Sequence, residues 1–187
     1  MRSVLFATTN SRKISEANAT LAPLNLSVSP VALDIDEIQH QDPSEIVKAK
    51  ARAAYEVTKV PVVVSDTSWA IPALNGFPGG YMKDVAGWLQ ADDWLALMAR
   101  HADTTIECHE HLAYFDGENL QHFMHIYTGA FTAEARGPEG QGVSIERVVS
   151  LYGGQTMAEQ IAAGEVASAG EDLQHWKQFG TWYNNTI

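Results

Sequence analysis

Three short stretches of this chain combine residue types that together could handle a polyphosphate. Thr8-Thr9-Asn10-Ser11-Arg12-Lys13 leaves an apolar run and opens an amphipathic segment. A small polar loop between a strand and a helix offers hydroxyls and backbone N–H groups to an anion, and the helix dipole favours negative charge there. Arg12 and Lys13 add charge in the first turn. The loop lacks a Walker-type glycine pattern, so taken alone it also reads as an ordinary strand-to-helix turn. Val64-Ser65-Asp66-Thr67-Ser68-Trp69 places an acid just after a buried apolar strand, at the rim where open α/β sheets bind ligands. A carboxylate there suits Mg²⁺, which takes oxygen ligands from one or two acids plus substrate phosphates, though a turn-capping aspartate would look similar. Asp34-Ile35-Asp36-Glu37 precedes a segment bearing Lys48, Lys50 and Arg52. It reads as a second metal-facing acid with phosphate-facing cations, or as a solvated charged face.

Histidines form a fourth group. If Asp116-Gly117 is a two-residue turn, His111 faces His122 across a hairpin, with His109 two residues away on the same face. Zinc is one reading of that group, but neither a cysteine partner nor a fixed ligand spacing supports it. Cys108 is the only cysteine, which excludes an intrachain disulfide and reads as a small buried side chain.

The elements that must position these residues can be read from periodicity. Val4 to Ala7 is a first strand, not a signal peptide, followed by a helix with Ile14, Ala17 and Leu21 on one face. Pro23 ends that helix, and Leu26 to Val31 forms a second strand. Asp42 is an N-cap, Pro43 the first helical residue and Glu45 its capping-box partner, with the helix running toward Val57. Val62-Val63-Val64 has the continuous apolar character of a strand buried on both faces. A Gly/Pro loop over 75–80 and a helix capped by Asp92 or Asp93 follow. Period-two patterning over 104–127 predicts a hairpin, and a further strand is expected over 129–135. Thr156/Glu159 and Ser168/Glu171 each fit a capping box, so two helices are expected to finish the chain. No internal repeat is visible. The sum is a mixed α/β protein of 187 residues with βα units first and antiparallel strands in the middle.

Charge narrows the partners. A net charge of −11 argues against gripping a nucleic-acid backbone. Residues 1–83 carry eight basic and eight acidic side chains, so the excess acid lies wholly in 84–187. A polyanionic ligand is accommodated more easily by the first part. With 45% hydrophobic residues and no run of about 20 apolar residues, the expectation is a globular cytoplasmic protein without a membrane span.

Taken in order, the first three constellations resemble the inosine triphosphate pyrophosphatases, the Ham1-like non-canonical purine nucleotide pyrophosphatases. The family's T-G-N-x-x-K-x-x-E is matched by Thr8 to Glu16, its helix lysine by Lys50, and a glutamate before the second helix by Glu37. Its acid-D-[ST]-x-L is matched by Ser65 to Trp69, and its A-L-x-G-x-P-G-x-Y-x-K by Ala73 to Lys83. The resemblance implies an elongated mixed β-sheet with flanking helices forming two lobes around a central cleft, usually as a homodimer. It implies one ITPase-like domain over 1–187, with a phosphate and metal half at 1–83 and a base-recognition half at 84–187. It also implies hydrolysis of a nucleoside triphosphate to the monophosphate and pyrophosphate. Glu37 and Asp66 would hold Mg²⁺, with Mn²⁺ as an alternative. Asp66 would activate water, and Lys13 and Lys50 would stabilise charge. Thr8, Thr9, Asn10, Ser11, Arg12, Lys13, Lys50, Thr67, Ser68, Trp69 and Lys83 would line the substrate.

Departures cluster on the base side. Thr9 replaces the loop glycine, and Ser65 replaces the first of two acids. The family's F-G-[WY]-D-P becomes Val143-Ser144-Ile145-Glu146-Arg147. After Thr156-Met157-Ala158-Glu159, which fits the family's T-x-A-E, Glu165 and Ala169-Gly170-Glu171 stand where a lysine and S-H-R read the base. A carboxylate cannot donate to a purine carbonyl, so an altered base preference is expected. Trp69, Trp176, Trp182 and Tyr183 are candidates for stacking on a base, although core or dimer roles are commoner for such residues. The alternative to catalysis is a nucleotide-binding or regulatory module that kept the fold.

Overall fold

Residues 2–140, 142–164 and 173–187 are described by a computed structural model. Strand β1 (Arg2–Ala7) feeds α1 (Ser11–Leu21), and the chain returns as β2 (Leu26–Val31), parallel to β1. Helix α2 (Pro43–Thr58) then leads to β3 (Val62–Ile71), which pairs parallel with the other edge of β1. β1 is therefore a switch point: one connection leaves it toward β2 and the next crosses back to β3. Apolar registers enforce this. Val4, Phe6, Val28 and Val63 pack with Ala17 and Leu21 of α1, whereas Ala7, Val62 and Val64 pack with Val47, Ala51 and Ala54 of α2. Successive residues of a strand face opposite sides, so Val62-Val63-Val64 is buried on both. Each valine contributes about 1.5–3 kcal/mol by that burial.

The remaining strands complete a mixed sheet. β4 (Phe77–Gly79) runs antiparallel to the end of β3, and β5 (Thr105–Phe115) and β6 (Leu120–Phe131) follow. β7 (Val149–Ser150) pairs antiparallel with β6, and the strand order is β2-β1-β3-β5-β6-β7. Helices α3 (Met82–Trp88), α4 (Ala91–Met98), α5 (Met157–Ala163) and α6 (Gln174–Thr186) flank it. The mixed α/β class read from the sequence is the one found. Among the described residues no helix is long and apolar enough to cross a membrane.

Two compact units partition the chain. The first comprises the described residues of Met1–Thr67, Glu110–His125 and Ala167–Ile187. Its aromatic core joins Phe6 to Trp176 edge-on at 5.1 Å, and Tyr114 to Phe179 and Tyr183. The second comprises the described residues of Ser68–His109 and Ile126–Val166, with a core around Trp69, Trp94, Ile106, Ile145 and Val149. Gly129 lets β6 and β7 approach, since a Cβ there would lie 2.1 Å from the Ser150 carbonyl oxygen.

Several local expectations need correction. Asp42 caps α2 through the Ser44 N–H, but Glu45 pairs with Lys48 instead of closing a capping box. α4 begins after Gln90, whose N–H donates to Asp93, so Asp93 is the third helical residue and not the cap. The 75–80 loop contains β4, and the strand expected over 129–135 is the end of β6, which stops at Phe131. The hairpin loop spans 116–119, with Asp116 Oδ1 accepting from the N–H groups of Glu118 and Asn119. The Thr156/Glu159 box is present, with Thr156 Oγ1 accepting from Glu159 N. The Ser168/Glu171 box lies outside the described residues.

Candidate active site

A cavity of about 270 Å³ opens at the end of β1, within the first unit. Ala7, Thr8, Thr9, Asn10 and Lys13 line it from β1 and the start of α1, and Leu33, Ile35 and Glu37 from the segment after β2. Lys50 of α2 and Ser65 and Asp66 of β3 complete it. The position follows from topology, because a doubly wound sheet leaves a crevice where its connections diverge. Residues from four separate segments meet there, and seven of them are ones the sequence marked as candidates: Thr8, Thr9, Asn10, Lys13, Glu37, Lys50 and Asp66.

Local geometry refines what each can do. Asn10 is the N-cap of α1, its Oδ1 accepting from the N–H groups of Arg12 (3.0 Å) and Lys13 (3.3 Å). Thr8 Oγ1 accepts from the Asn10 N–H at 3.2 Å. The loop's rigidity thus comes from side chains satisfying backbone donors, which modifies the expectation that those donors face an anion. Asp66 lies inside β3 and not in a turn after it, because the strand continues to Ile71. Strand alternation sends Asp66 to the α2 side, with Val62 and Val64, and Thr67 to the α1 side, with Val63. On the α2 side, Lys50 Nζ donates to Glu37 Oε1 at 2.5 Å. On the α1 side, Lys13 Nζ donates to Thr67 Oγ1 at 3.1 Å.

Electrostatics sets the acid apart. Burial pushes the Asp66 carboxyl above its usual range; Lys13 and Lys50 pull it back, and Glu37 opposes them. Such a carboxyl, raised by burial and lowered again by two ammonium groups, is set apart from an ordinary surface aspartate. Ser65 also lines the cavity, but alternation turns its side chain to the α1 side of β3, where its buried Oγ has no hydrogen-bond partner among the described residues.

Other candidates lie elsewhere. Ser11 is exposed at the start of α1, and Arg12 approaches Glu16 at 3.9 Å. Ser68 and Trp69 are 3% and 4% exposed, and Trp69 belongs to the second unit's apolar core, so it anchors the fold and offers no face to a base. Trp176 and Tyr183 are likewise core residues, with Trp182 packed against them. Lys83 lines a separate cavity of about 950 Å³ in the second unit, with Gln90, Gly142, Val143, Ser144 and Arg147. There Ser144 Oγ accepts from Trp94 Nε1 and donates to the Leu89 carbonyl, and Arg147 reaches Glu139 at 2.8 Å and the Gly137 carbonyl at 3.3 Å.

The zinc reading fails on geometry. His111 Nδ1 and His122 Nε2 meet at 3.1 Å, as the hairpin implied, but His109 turns to Glu107 at 2.8 Å. Among the described residues no three His, Cys, Asp or Glu side chains gather to hold a metal ion. Cys108 is buried, as expected of a small apolar side chain. One residue escaped the sequence reading: Glu110, whose Oε2 accepts from Thr67 Oγ1 at 2.9 Å. Its signal was a charge in the register of Ile106, Cys108, Leu112 and Tyr114, all of them buried.

A doubly wound sheet with a charged crevice at its switch point is the arrangement in which open α/β proteins place their ligands. Comparison with known proteins narrows that class. The model of the Ham1 family matches residues 4–163, and the chain belongs to that family. A dITP/XTP pyrophosphatase of Methanopyrus kandleri is 30% identical over 185 residues, covering 98% of this chain and 97% of that protein. An inosine triphosphate pyrophosphatase of Tuber melanosporum is 29% identical over 164 residues, 88% of each chain. Among solved structures, a HAM1 protein from Coxiella burnetii superposes with a TM-score of 0.79 at 22% identity over 100% of both chains, a likeness of fold.

Proposed function

We propose that this protein is a metal-dependent nucleoside triphosphate pyrophosphatase, hydrolysing a nucleoside triphosphate to its monophosphate and pyrophosphate. The observation that carries the reading is the single cavity where Lys13, Lys50, Glu37 and Asp66 converge. The relatives' names support the reaction class. Thr8, Thr9 and Lys13 bind phosphate oxygens on one wall and Lys50 on the other, while Asn10 keeps the loop in shape. Asp66 accepts a proton from the attacking water, whose oxygen bonds to the α-phosphorus as the bond to the bridging oxygen breaks and pyrophosphate leaves.

The donor set fits Mg²⁺, with Mn²⁺ as the alternative. Glu37 and Asp66 are oxygen donors at one wall, and two protein carboxylates plus substrate phosphates are an ordinary complement for this ion. Held there, Mg²⁺ would offset negative charge on the phosphates.

Base preference is proposed to differ from the inosine and xanthosine preference of the family. Val143 and Ile145 stand at the aromatic positions of the family's F-G-[WY]-D-P, and the Ser144 hydroxyl is already engaged by Trp94 and Leu89. Glu165 and Glu171 lie outside the described residues. Assay of a panel of nucleoside and deoxynucleoside triphosphates with Mg²⁺ tests the reading, with pyrophosphate release from at least one expected. A cytoplasmic homodimer is part of the proposal, and sedimentation of the purified protein checks its stoichiometry.

A second reading, a nucleotide-binding module without turnover, draws on one observation. Glu37 is already neutralised by Lys50 at 2.5 Å, so a metal must compete with an ammonium for that carboxylate. This reading predicts that nucleotides raise the melting temperature while no pyrophosphate appears.

A further inference from the structure

We infer that Glu110 is a positioning residue for the phosphate cavity, acting through Thr67 to hold the Lys13 ammonium in place. The inference rests on the proposal that Lys13 binds phosphate.

The hydrogen-bond directions are forced. An ammonium only donates and an ionised carboxylate only accepts. Lys13 Nζ therefore donates to Thr67 Oγ1 (3.1 Å), and the single Thr67 hydroxyl proton goes to Glu110 Oε2 (2.9 Å). The hydroxyl rotor is fixed from both ends. Glu110 thereby turns a Thr67 lone pair toward Lys13, and one of the three ammonium N–H groups is held while two remain for a ligand. Without an acceptor at position 110, the Thr67 hydroxyl has no reason to keep that orientation.

The strand register shows that this acid is placed against the local apolar trend. Ile106, Cys108, Leu112 and Tyr114 share its face of β5 and are all buried, and Leu112 and Tyr114 pack into the aromatic core of the first unit. A carboxylate among such residues is disfavoured unless it is hydrogen-bonded and paired. Burial raises the Glu110 carboxyl, and Lys13 is the largest influence opposing that, followed by the Thr67 hydrogen bond. β5 neighbours β3 in the sheet, so the acid arrives from the strand beside the one that carries Asp66. Ser65, in the cavity wall itself, brings no charge.

A double-mutant cycle read by calorimetric binding of inorganic pyrophosphate tests the inference, with turnover measured in parallel. Glu110→Leu is expected to weaken pyrophosphate binding about tenfold, and Glu110→Gln, which keeps an acceptor oxygen, about threefold. In a Lys13→Ala background Glu110→Leu should cost less than about twofold, because the group it positions is gone. A purely structural role would instead give the same loss in both backgrounds, and that result would overturn the inference. Unchanged binding in Glu110→Leu would overturn it too, as would a wild-type protein that takes no pyrophosphate. If Glu110→Leu fails to fold, the near-isosteric Glu110→Gln carries the same cycle. A coupled cycle in a protein with no turnover sinks the pyrophosphatase reading and leaves the positioning role standing.

Discussion

The two compact units each hold a cavity, and the cavities are built from different materials. The first unit's is walled by the end of a buried strand, a capped helix start and two strand residues, with Lys13, Lys50, Glu37 and Asp66 facing in. The second unit's is more than three times larger and lined by Gly87, Gly140 and Gly142, with Ser144 and Arg147 tied to protein partners. Phosphate chemistry needs charges at fixed positions, and regular elements fix them. Recognition of a variable ring is met by loops, which accept substitution at little cost to the fold. On the proposed function, that contrast would account for a family pattern kept in residues 8–83 and altered over 143–147.

The largest expected effect breaks the first cavity. Asp66→Asn should lower turnover by about 10³-fold, the scale of a lost general base, and retained activity would remove Asp66 from that role. The same substitution has a predictable effect on stability. Folding raises the Asp66 pKa, so the buried site disfavours ionisation; stability is lost as pH rises from the usual aspartate range through the folded value. Asp66→Asn removes that penalty, and its melting temperature at neutral pH should equal or exceed that of the wild type.

Next in size, Lys13→Ala and Lys50→Ala should each reduce kcat/KM by about 10²-fold, as for removal of one preorganised charge at a phosphoryl centre. Steady-state kinetics checks this. The contrast sharpens with Arg147→Ala in the second unit. It should leave pyrophosphate release intact and shift relative kcat/KM among bases by about tenfold at most, the range typical of pocket contacts. Loss of all turnover there would erase the distinction between the two cavities. Smallest is Thr156→Ala, which removes an N-cap of α5 and should cost about 1 kcal/mol in denaturant unfolding with kinetics unchanged.

Legibility in the sequence followed the same divide. Asp42-Pro43 and Thr156/Glu159 announce helix starts because capping is local, and Val62-Val63-Val64 announces a strand because burial on both faces leaves no alternation. The polar Ser65 to Ser68 run concealed that β3 continues to Ile71, since its pairing with β4 is a tertiary fact. Glu110 was hidden for a related reason. Its partners are 43 and 97 positions away in sequence, so only the fold joins them. β7 has two residues, too few to leave a periodic signature.

The most direct measurement is the product analysis of a nucleoside triphosphate panel incubated with the protein, with and without Mg²⁺. The account predicts pyrophosphate and the corresponding monophosphate in equal amounts from at least one nucleotide, only when the metal is present. Orthophosphate and diphosphate as products, metal-independent release, or no hydrolysis of any nucleotide would contradict it.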